Sequence, residues 1–521
     1  IKLQTPTLKL DDKLAAHRNL ADCKAKLRAQ DHAARATRDA NDAYEHQMAE
    51  AGLGKIAKAV ARPTPINEVK LPSGQVSNKQ EDILAAHTEC CRSILNMQHT
   101  QTPQAKADAA EVLNRLKQSI KLPEGIFQAL QPDRITSIRN IISAMQDLSR
   151  SSTPGGDRIP LNLYLQHKKR SAKLLQGLFK EALSTGRMSD TMVLAVLSPI
   201  FKEKGDPADT DMYRMISVTT VAYRILEKCI AQRLNIAVKY LIGDPQVGYS
   251  PGRSLDETVT LIRQVIHDIN HVRPGDGGMI FMLDNTKAFD RLVHKFVFQV
   301  LEAFGLPPGL IDAVRTLYKD AAASVKINGQ RGPGFGVSSG AKQGGPLSGL
   351  LYILVQEVQM FIIRTDPKIT GIAIPSPGGI CKAPNAVGES LQPDHQIKER
   401  CLVDDMLVSI NSQTAVVPLL NALDRFEAMS NHKMQIKKTV LLLLGNERSF
   451  DINGSTEAAQ RLRDRNLHIT HDITPCHFAG RAVWRTLGGP SGALPAKWHG
   501  VILANDQALT QSWQATTESL V

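Results

Sequence analysis

The chain has 521 residues, 42% of them hydrophobic and 22% charged, which is ordinary for a globular protein, and its length suggests about three structural units. No run approaches the ~18 apolar residues of a membrane span and no signal peptide opens the sequence, so the composition argues against a membrane or secreted protein. A formal net charge of +12 favours a polyanionic partner, most simply nucleic acid, whereas 5% aromatic residues argue against recognition through large stacking platforms.

In chain order, residues 1 to 60 are rich in Ala, Lys, Arg, Asp and Gln, with leucines too sparse for a heptad seam. They read as charged helices or a linker. Pro63, Pro65, Pro72 and Gly74 mark a joint, and a second helical stretch is predicted from about Lys79 to Ile120. The first residue is Ile, so the chain reads as a piece of something longer. The seven cysteines, Cys23, Cys90, Cys91, Cys229, Cys381, Cys401 and Cys476, form no C-x-x-C pair. They read as free thiols of a reducing, intracellular compartment. Cys476-His477 with His468 and His471 lacks a second close cysteine, which argues against zinc.

From Leu122 the pattern changes. Ile135, Ile138, Ile142, Met145 and Leu148 lie on one helical face. Thr153 to Pro160 is a tight loop centred on Gly155-Gly156, and an amphipathic helix is predicted from about Leu161 to Ser184. Met192 to Ile200 reads as a strand. A basic turn, Phe201-Lys202-Glu203-Lys204-Gly205-Asp206-Pro207, and Tyr213-Arg214-Met215-Ile216-Ser217 follow. Lys202, Lys204 and Arg214 suit a triphosphate or belong to an ordinary basic hairpin. Gln246 to Ser254 is a Gly/Pro loop between predicted helices.

Met279 to Leu283 is an apolar run of strand length with Asp284 at its end. Asp284 reads either as a helix N-cap or as a carboxylate in a partly dry site that needs a cation. Helices are predicted over Leu292 to Phe304 and Leu310 to Tyr318, and a hairpin over Ala323 to Val337. The Gly-rich loop Ser339 to Ser348, containing Lys342-Gln343-Gly344, precedes an apolar helix and exposes N–H groups to a ligand. After a Pro/Gly/Ser-rich stretch (366 to 398), Cys401-Leu402-Val403-Asp404-Asp405-Met406-Leu407-Val408 reads as a hairpin with two acids at its turn. Adjacent like charges flanked by apolar residues need a compensating cation. A helix (Val416 to Met429), the segment Met434 to Thr439 and a strand (Val440 to Leu444) follow.

Three carboxylates from two strand ends are the set that holds a pair of Mg²⁺ ions for phosphoryl transfer. With its flanking segments, the set resembles the reverse transcriptase of non-LTR (LINE-type) retrotransposons. Pro154 to Pro160, Pro199-Ile200-Phe201-Lys202, Tyr213 to Ser217, Gln246 to Ser254, Leu283 to Asp290 (motif A), Lys342 to Ser348 (motif B), Leu402 to Asp405 (motif C) and Ile436 to Thr439 (motif D) follow that family's order and spacing. The resemblance covers about Leu122 to Gly445.

That resemblance implies an α+β right-hand polymerase: a ferredoxin-like palm of antiparallel sheet plus helices, α/β fingers and a partial, mainly helical thumb. It implies a linker region over 1–120, an N-terminal extension of the fingers over 121–181, the reverse transcriptase domain over 182–445 and the start of a truncated thumb over 446–521. Asp284, Asp404 and Asp405, with the Asn285 carbonyl, would hold two Mg²⁺, or Mn²⁺. Lys202 and Arg214 would meet the triphosphate, and Gln343 and Gly344 would line the nucleotide pocket. Phe289 would exclude a ribose 2′-OH, Lys438 would assist pyrophosphate release, and Leu487-Gly488 would belong to a primer grip. The implied partners are an RNA template, a DNA primer or target and deoxynucleoside triphosphates, in nucleus or cytoplasm.

The sequence also departs from the family pattern. Leu402-Val403 replaces Tyr/Phe-Ala, Met215 replaces Pro, and Gly345 stands where Asp or Cys is usual. Alternatives are a catalytically impaired, RNA-binding relic, a group II intron-type maturase lacking its usual basic region, or a viral RNA polymerase. The last would carry Gly before the paired acids and a polar residue in place of Phe289.

Overall fold

The computed structural model describes residues 65–373 and 396–470, except 98, 151, 203–204, 251, 254, 274, 436–437 and 466, and two further short strands, Ala496–Trp498 and Val501–Leu503. The chain divides into two compact units, Ile1–Pro65 and Ile66–Val521, and the elements below belong to the second. Among the described residues no helix is long and apolar enough to cross a membrane.

Helices α1 (Gln80–Leu95), α2 (Pro103–Ser119), α3 (Ile138–Asp147) and α4 (Lys168–Thr185) lead to the antiparallel strands β1 (Leu194–Phe201) and β2 (Tyr213–Val218). Helices α5 (Val221–Leu241) and α6 (Leu255–His267) precede strand β3 (Gly277–Leu283). Then come α7 (His294–Ala303), α8 (Pro308–Tyr318), β4 (Ala322–Ile327) and α9 (Ser348–Thr365). The hairpin β5 (Glu399–Leu402) and β6 (Asp405–Ile410), α10 (Val416–Ser430), β7 (Val440–Gly445) and β8 (His468–Thr470) complete the core.

Two sheets result. One runs β5-β6-β3-β7-β8; the other runs β2-β1-β4, with short strands Gln330–Arg331 and Phe335–Gly336 paired to β4. The mixed helix and sheet content agrees with the α+β expectation.

The central strand β3 is apolar on both faces for a reason. Met279, Phe281 and Leu283 pack into the main helical core. Ile280 and Met282 pack into a second cluster with Val259, Ile262, Val265 and Ile266 of α6 and with Leu407, Leu442 and Leu444. A strand covered on both sides reads as a continuous apolar run rather than an alternation. Helix α9 is buried all round from Ser348 to Ile363, as expected of a helix at the centre of a core.

Within the region expected as a helical, charged linker (1–120), the second compact unit begins at Ile66. Ile83 and Cys91 of α1 pack against Leu197, Val325, Ile327 and Phe335, and Ala109, Val112, Leu113 and Leu116 of α2 join the main core. The buried stripe of α2, Ala105, Ala109, Val112, Leu113 and Leu116, stands among many charges, so its burial is poorly visible in the sequence. Thr102 caps α2 by accepting from the Ala105 amide at 3.1 Å. The Gly155 loop shows a close approach: a Cβ on Gly155 would collide with the Thr220 backbone at the start of α5.

An ion cluster ties α9 to the β5–β6 hairpin. Arg364 Nε donates to Glu399 Oε1 at 2.7 Å and Nη1 to Glu357 Oε1 at 3.0 Å, and both carboxylate side chains are only 3% exposed. Removing the guanidinium would leave two buried acids without their cation. Arg364→Ala should therefore cost about 3–5 kcal/mol, read as a shift in the urea midpoint. A loss below about 1 kcal/mol, the size of an exposed pair, would show that the cluster does not hold these elements together.

Candidate active site

The site is built from strand register. β6 pairs antiparallel with β3 in a ladder ending at Met406↔Leu283, and with β5 in a ladder ending at Leu402↔Asp405. One step beyond Met406↔Leu283, Asp284 lies across from Asp405, and Asp404 occupies the turn beside it. All three acids line one cleft of about 1120 Å³, together with Lys202, Arg214, Asn285, Lys287, Phe289, Gln343, Gly344 and Lys438.

Asp284 is not a helix cap. Its carbonyl accepts from the Gln435 amide at 2.7 Å, and the Thr286 amide donates to the Lys433 carbonyl at 2.7 Å. This bridge, Asn285↔Met434, leaves the Asn285 carbonyl out of its bonding. The Asp284 carboxylate carries a cation: Lys438 Nζ donates to Oδ2 at 2.7 Å. The 3-10 turn that follows (Ala288–Arg291) is instead preceded by Lys287 in the left-handed region, at φ 48° and ψ 48°.

The Asn285 side chain donates to Tyr352 Oη at 3.3 Å, and Tyr352 donates on to Gln356 at 3.2 Å. Phe289 stacks on Tyr352, with ring centroids 4.7 Å apart and planes 25° from parallel. Gln343 Nε2 donates to Asp290 at 2.8 Å, and the Ser217 amide of β2 donates to the Gln343 carbonyl at 3.0 Å. The Gly-rich loop is thereby bonded to both the Asp284 segment and the other sheet. Burial raises the Asp290 carboxyl above its usual range, against the pull of the Gln343 amide. Gly344 has φ +97°, a conformation suited to glycine. Lys202 Nζ donates to the Asp211 carbonyl.

Beneath the loop lies a buried pair. Burial raises Glu227 to about 7, opposed by Lys342, and lowers Lys342 to about 8, opposed by Glu227. The Lys342 ammonium also sits 3.6 Å from the centroid of the Tyr223 ring, a cation–π contact.

The hairpin turn is strained and clamped. Val403 has φ +60°, a genuine outlier for a β-branched residue. Gln246, fully buried, accepts from the Val403 amide at 3.0 Å and from the Gly248 amide at 2.9 Å. Flanking backbone bonds run from Val247 to the Cys401 carbonyl and from Cys401 to the Pro245 carbonyl, both 2.9 Å. A Cβ on Gly248 would strike Val403, so that glycine lets the loop approach the turn.

The expected site residues within the described part of the chain thus share one cleft. Lys204, Ile436, His471, Leu487-Gly488 and Cys476 lie outside the described residues, as does the side chain of His468. Among the described residues, no three His, Cys, Asp or Glu side chains converge closely enough to hold a metal as they stand. Sequence reading gave no role to Gln246, Asp211, Lys287 or Glu227, which act through partners distant in the chain. Nor did it show the bond between Asp290 and Gln343.

Comparison with known proteins agrees with this geometry. Residues 201–483, more than half the chain, match the family described as reverse transcriptase (RNA-dependent DNA polymerase). The chain is 28% identical over 241 residues to the Transposon TX1 uncharacterized 149 kDa protein of Xenopus laevis, covering 46% of this chain and 18% of that protein. It is 30% identical over 249 residues to the Retrovirus-related Pol polyprotein from type-2 retrotransposable element R2DM of Drosophila melanogaster, covering 46% and 22%. It is 23% identical over 307 residues to the RNA-directed DNA polymerase from mobile element jockey of Drosophila melanogaster, covering 58% and 32%. The matches thus span about a fifth to a third of these relatives. The chain belongs to the reverse transcriptase (RNA-dependent DNA polymerase) family.

Proposed function

We propose that this chain is the polymerase part of a non-LTR retrotransposon protein, copying RNA into DNA by nucleotidyl transfer onto a DNA primer, in nucleus or cytoplasm. The observation that supports it best is the register that sets Asp284 across from Asp405, with Asp404 at the turn, in a cleft shared with Lys202, Arg214, Gln343 and Phe289. In this reading the sheet carrying the acids is the palm and the β2-β1-β4 sheet with α1 belongs to the fingers. The segment after β7, with the helix Glu457–Asp464, begins the thumb.

The donor set fits Mg²⁺ or Mn²⁺: all its groups are hard oxygens, and the ammonium on Asp284 marks a place that favours a cation. Asp284, Asp404, Asp405 and the Asn285 carbonyl would hold two such ions. When bound, the pair lowers the pKa of the attacking primer hydroxyl and neutralises charge on the phosphate. The chain's own residues do the rest. Lys202 and Arg214 bind the triphosphate by charge and bidentate bonding. Gln343 and Gly344 form the floor of the nucleotide pocket, with Gln343 held by Asp290. Phe289, stacked on Tyr352, excludes a ribose 2′-OH in this reading. Lys438 donates a proton to the departing pyrophosphate once it leaves Asp284.

Primer extension on an RNA template tests the activity. The wild-type chain should extend the primer, and Asp404→Asn/Asp405→Asn should lose about a thousandfold or more, equivalent to several kcal/mol of transition-state stabilisation. A wild-type chain that folds and binds template–primer but extends nothing contradicts the proposal. Sugar choice tests Phe289 separately. Phe289→Val should admit ribonucleotides, and unchanged sugar selection would remove the gate from that ring.

A further inference from the structure

Lys287 lies three residues after Asp284, and the mechanism above gives it no part. Its left-handed backbone is fixed because its carbonyl accepts from the Asp290 and Arg291 amides, at 2.9 and 3.1 Å. Left-handed backbone in a lysine is sparsely populated and, where it persists, is held by its surroundings. Here it accompanies a side chain that crosses the cleft. Lys287 Nζ donates to Asp211 Oδ1 at 2.8 Å.

Asp211 sits on the 3-10 turn Thr210–Met212, just ahead of β2 in the fingers. One residue thus receives two cations: its carboxylate takes Lys287 and its carbonyl takes Lys202. Its carboxyl is held below the usual carboxylate range, chiefly by the Lys287 hydrogen bond. Both lysines and Asp211 line the same cleft as Asp284. The pair is not locked by burial, since the Lys287 side chain is 30% exposed and that of Asp211 57%. A pair of that kind is weak and yields readily to an anion that carries more charge.

We propose that Lys287 is a triphosphate-binding residue, and that Asp211 is the internal anion that a nucleoside triphosphate displaces from Lys287 and Lys202. A triphosphate offers several charged oxygens where Asp211 offers one carboxylate and one carbonyl, so it can engage both ammonium groups at once. The exchange also releases the fingers turn from the palm, because the Lys287–Asp211 bond joins the two. The nature of the anion rests on the polymerase reading; the anion site itself does not.

Inorganic tripolyphosphate, titrated calorimetrically into the full chain, probes the site without catalysis. Lys287→Gln should weaken its binding about tenfold, the loss of one charge-assisted bond. Asp211→Asn should strengthen it about threefold, because the competing anion is gone. Both variants should keep the parent's thermal midpoint within about 2 °C, and Lys287→Arg should restore most of the affinity. The same opposed shifts should appear in KM for the deoxynucleotide during primer extension. If Asp211→Asn weakens binding together with Lys287→Gln, or neither variant changes it, the pair is a structural bridge and the inference is overturned. If no primer is extended while tripolyphosphate binding still moves in opposite directions, the anion site stands and the polymerase reading falls.

Discussion

The arrangement depends on carboxylates placed at adjacent strand ends in a half-dry cleft. A charge there is costly unless a cation answers it. Lys438 supplies that cation to Asp284 at 2.7 Å, and its ammonium neutralises an acid that would otherwise face the others alone. Their spacing follows from one register, Met406↔Leu283. A slip of one residue would separate Asp284 from Asp405 and reverse every side chain of β6.

That register cannot come from alternation alone, because β3 is apolar on both faces. The Asn285 side-chain amide reaches across it to the Asp404 carbonyl at 3.5 Å, and further polar bonds hold the segments on either side. The Asp284 carbonyl is bonded to Gln435 and the Thr286 amide to Lys433, while Gln246 holds the Val403 turn. Backbone strain at Val403 is of order 1–3 kcal/mol, and it persists because the buried amide and the close approach of Gly248 leave the turn no other conformation. Arg364 couples the same hairpin to α9, so the helix after the Gly-rich loop and the hairpin carrying two acids are held as one body.

Much of this was legible in the sequence. Strand β3, the β5–β6 hairpin with acids at its turn, and helix α9 announce themselves by apolar runs bounded by Gly, Pro and Asp. The order of motifs, more than any one of them, pointed to the family. What stayed hidden was pairing at long range. Asp211 lies 76 residues from Lys287 and Gln246 lies 157 from Val403, and neither periodicity nor local propensity encodes such contacts. The burial of helix α2 stayed hidden for another reason: Ala105 and Ala109 stand among its five buried residues, and alanine beside lysine and glutamine looks solvated until a partner surface is known.

Asp284 illustrates how context decides. Alone after a strand, it is as good a cap as a ligand. Beside Asp405, and with an ammonium on its carboxylate, it is the residue we propose as a metal ligand. The direct measurement is anomalous scattering from manganese in crystals of the chain with template, chain-terminated primer and incoming deoxynucleotide. Two manganese peaks among Asp284, Asp404 and Asp405, with Lys438 moved off Asp284, are the predicted result. A ternary complex without manganese at these acids, and with Lys438 still on Asp284, would contradict the assignment of the site.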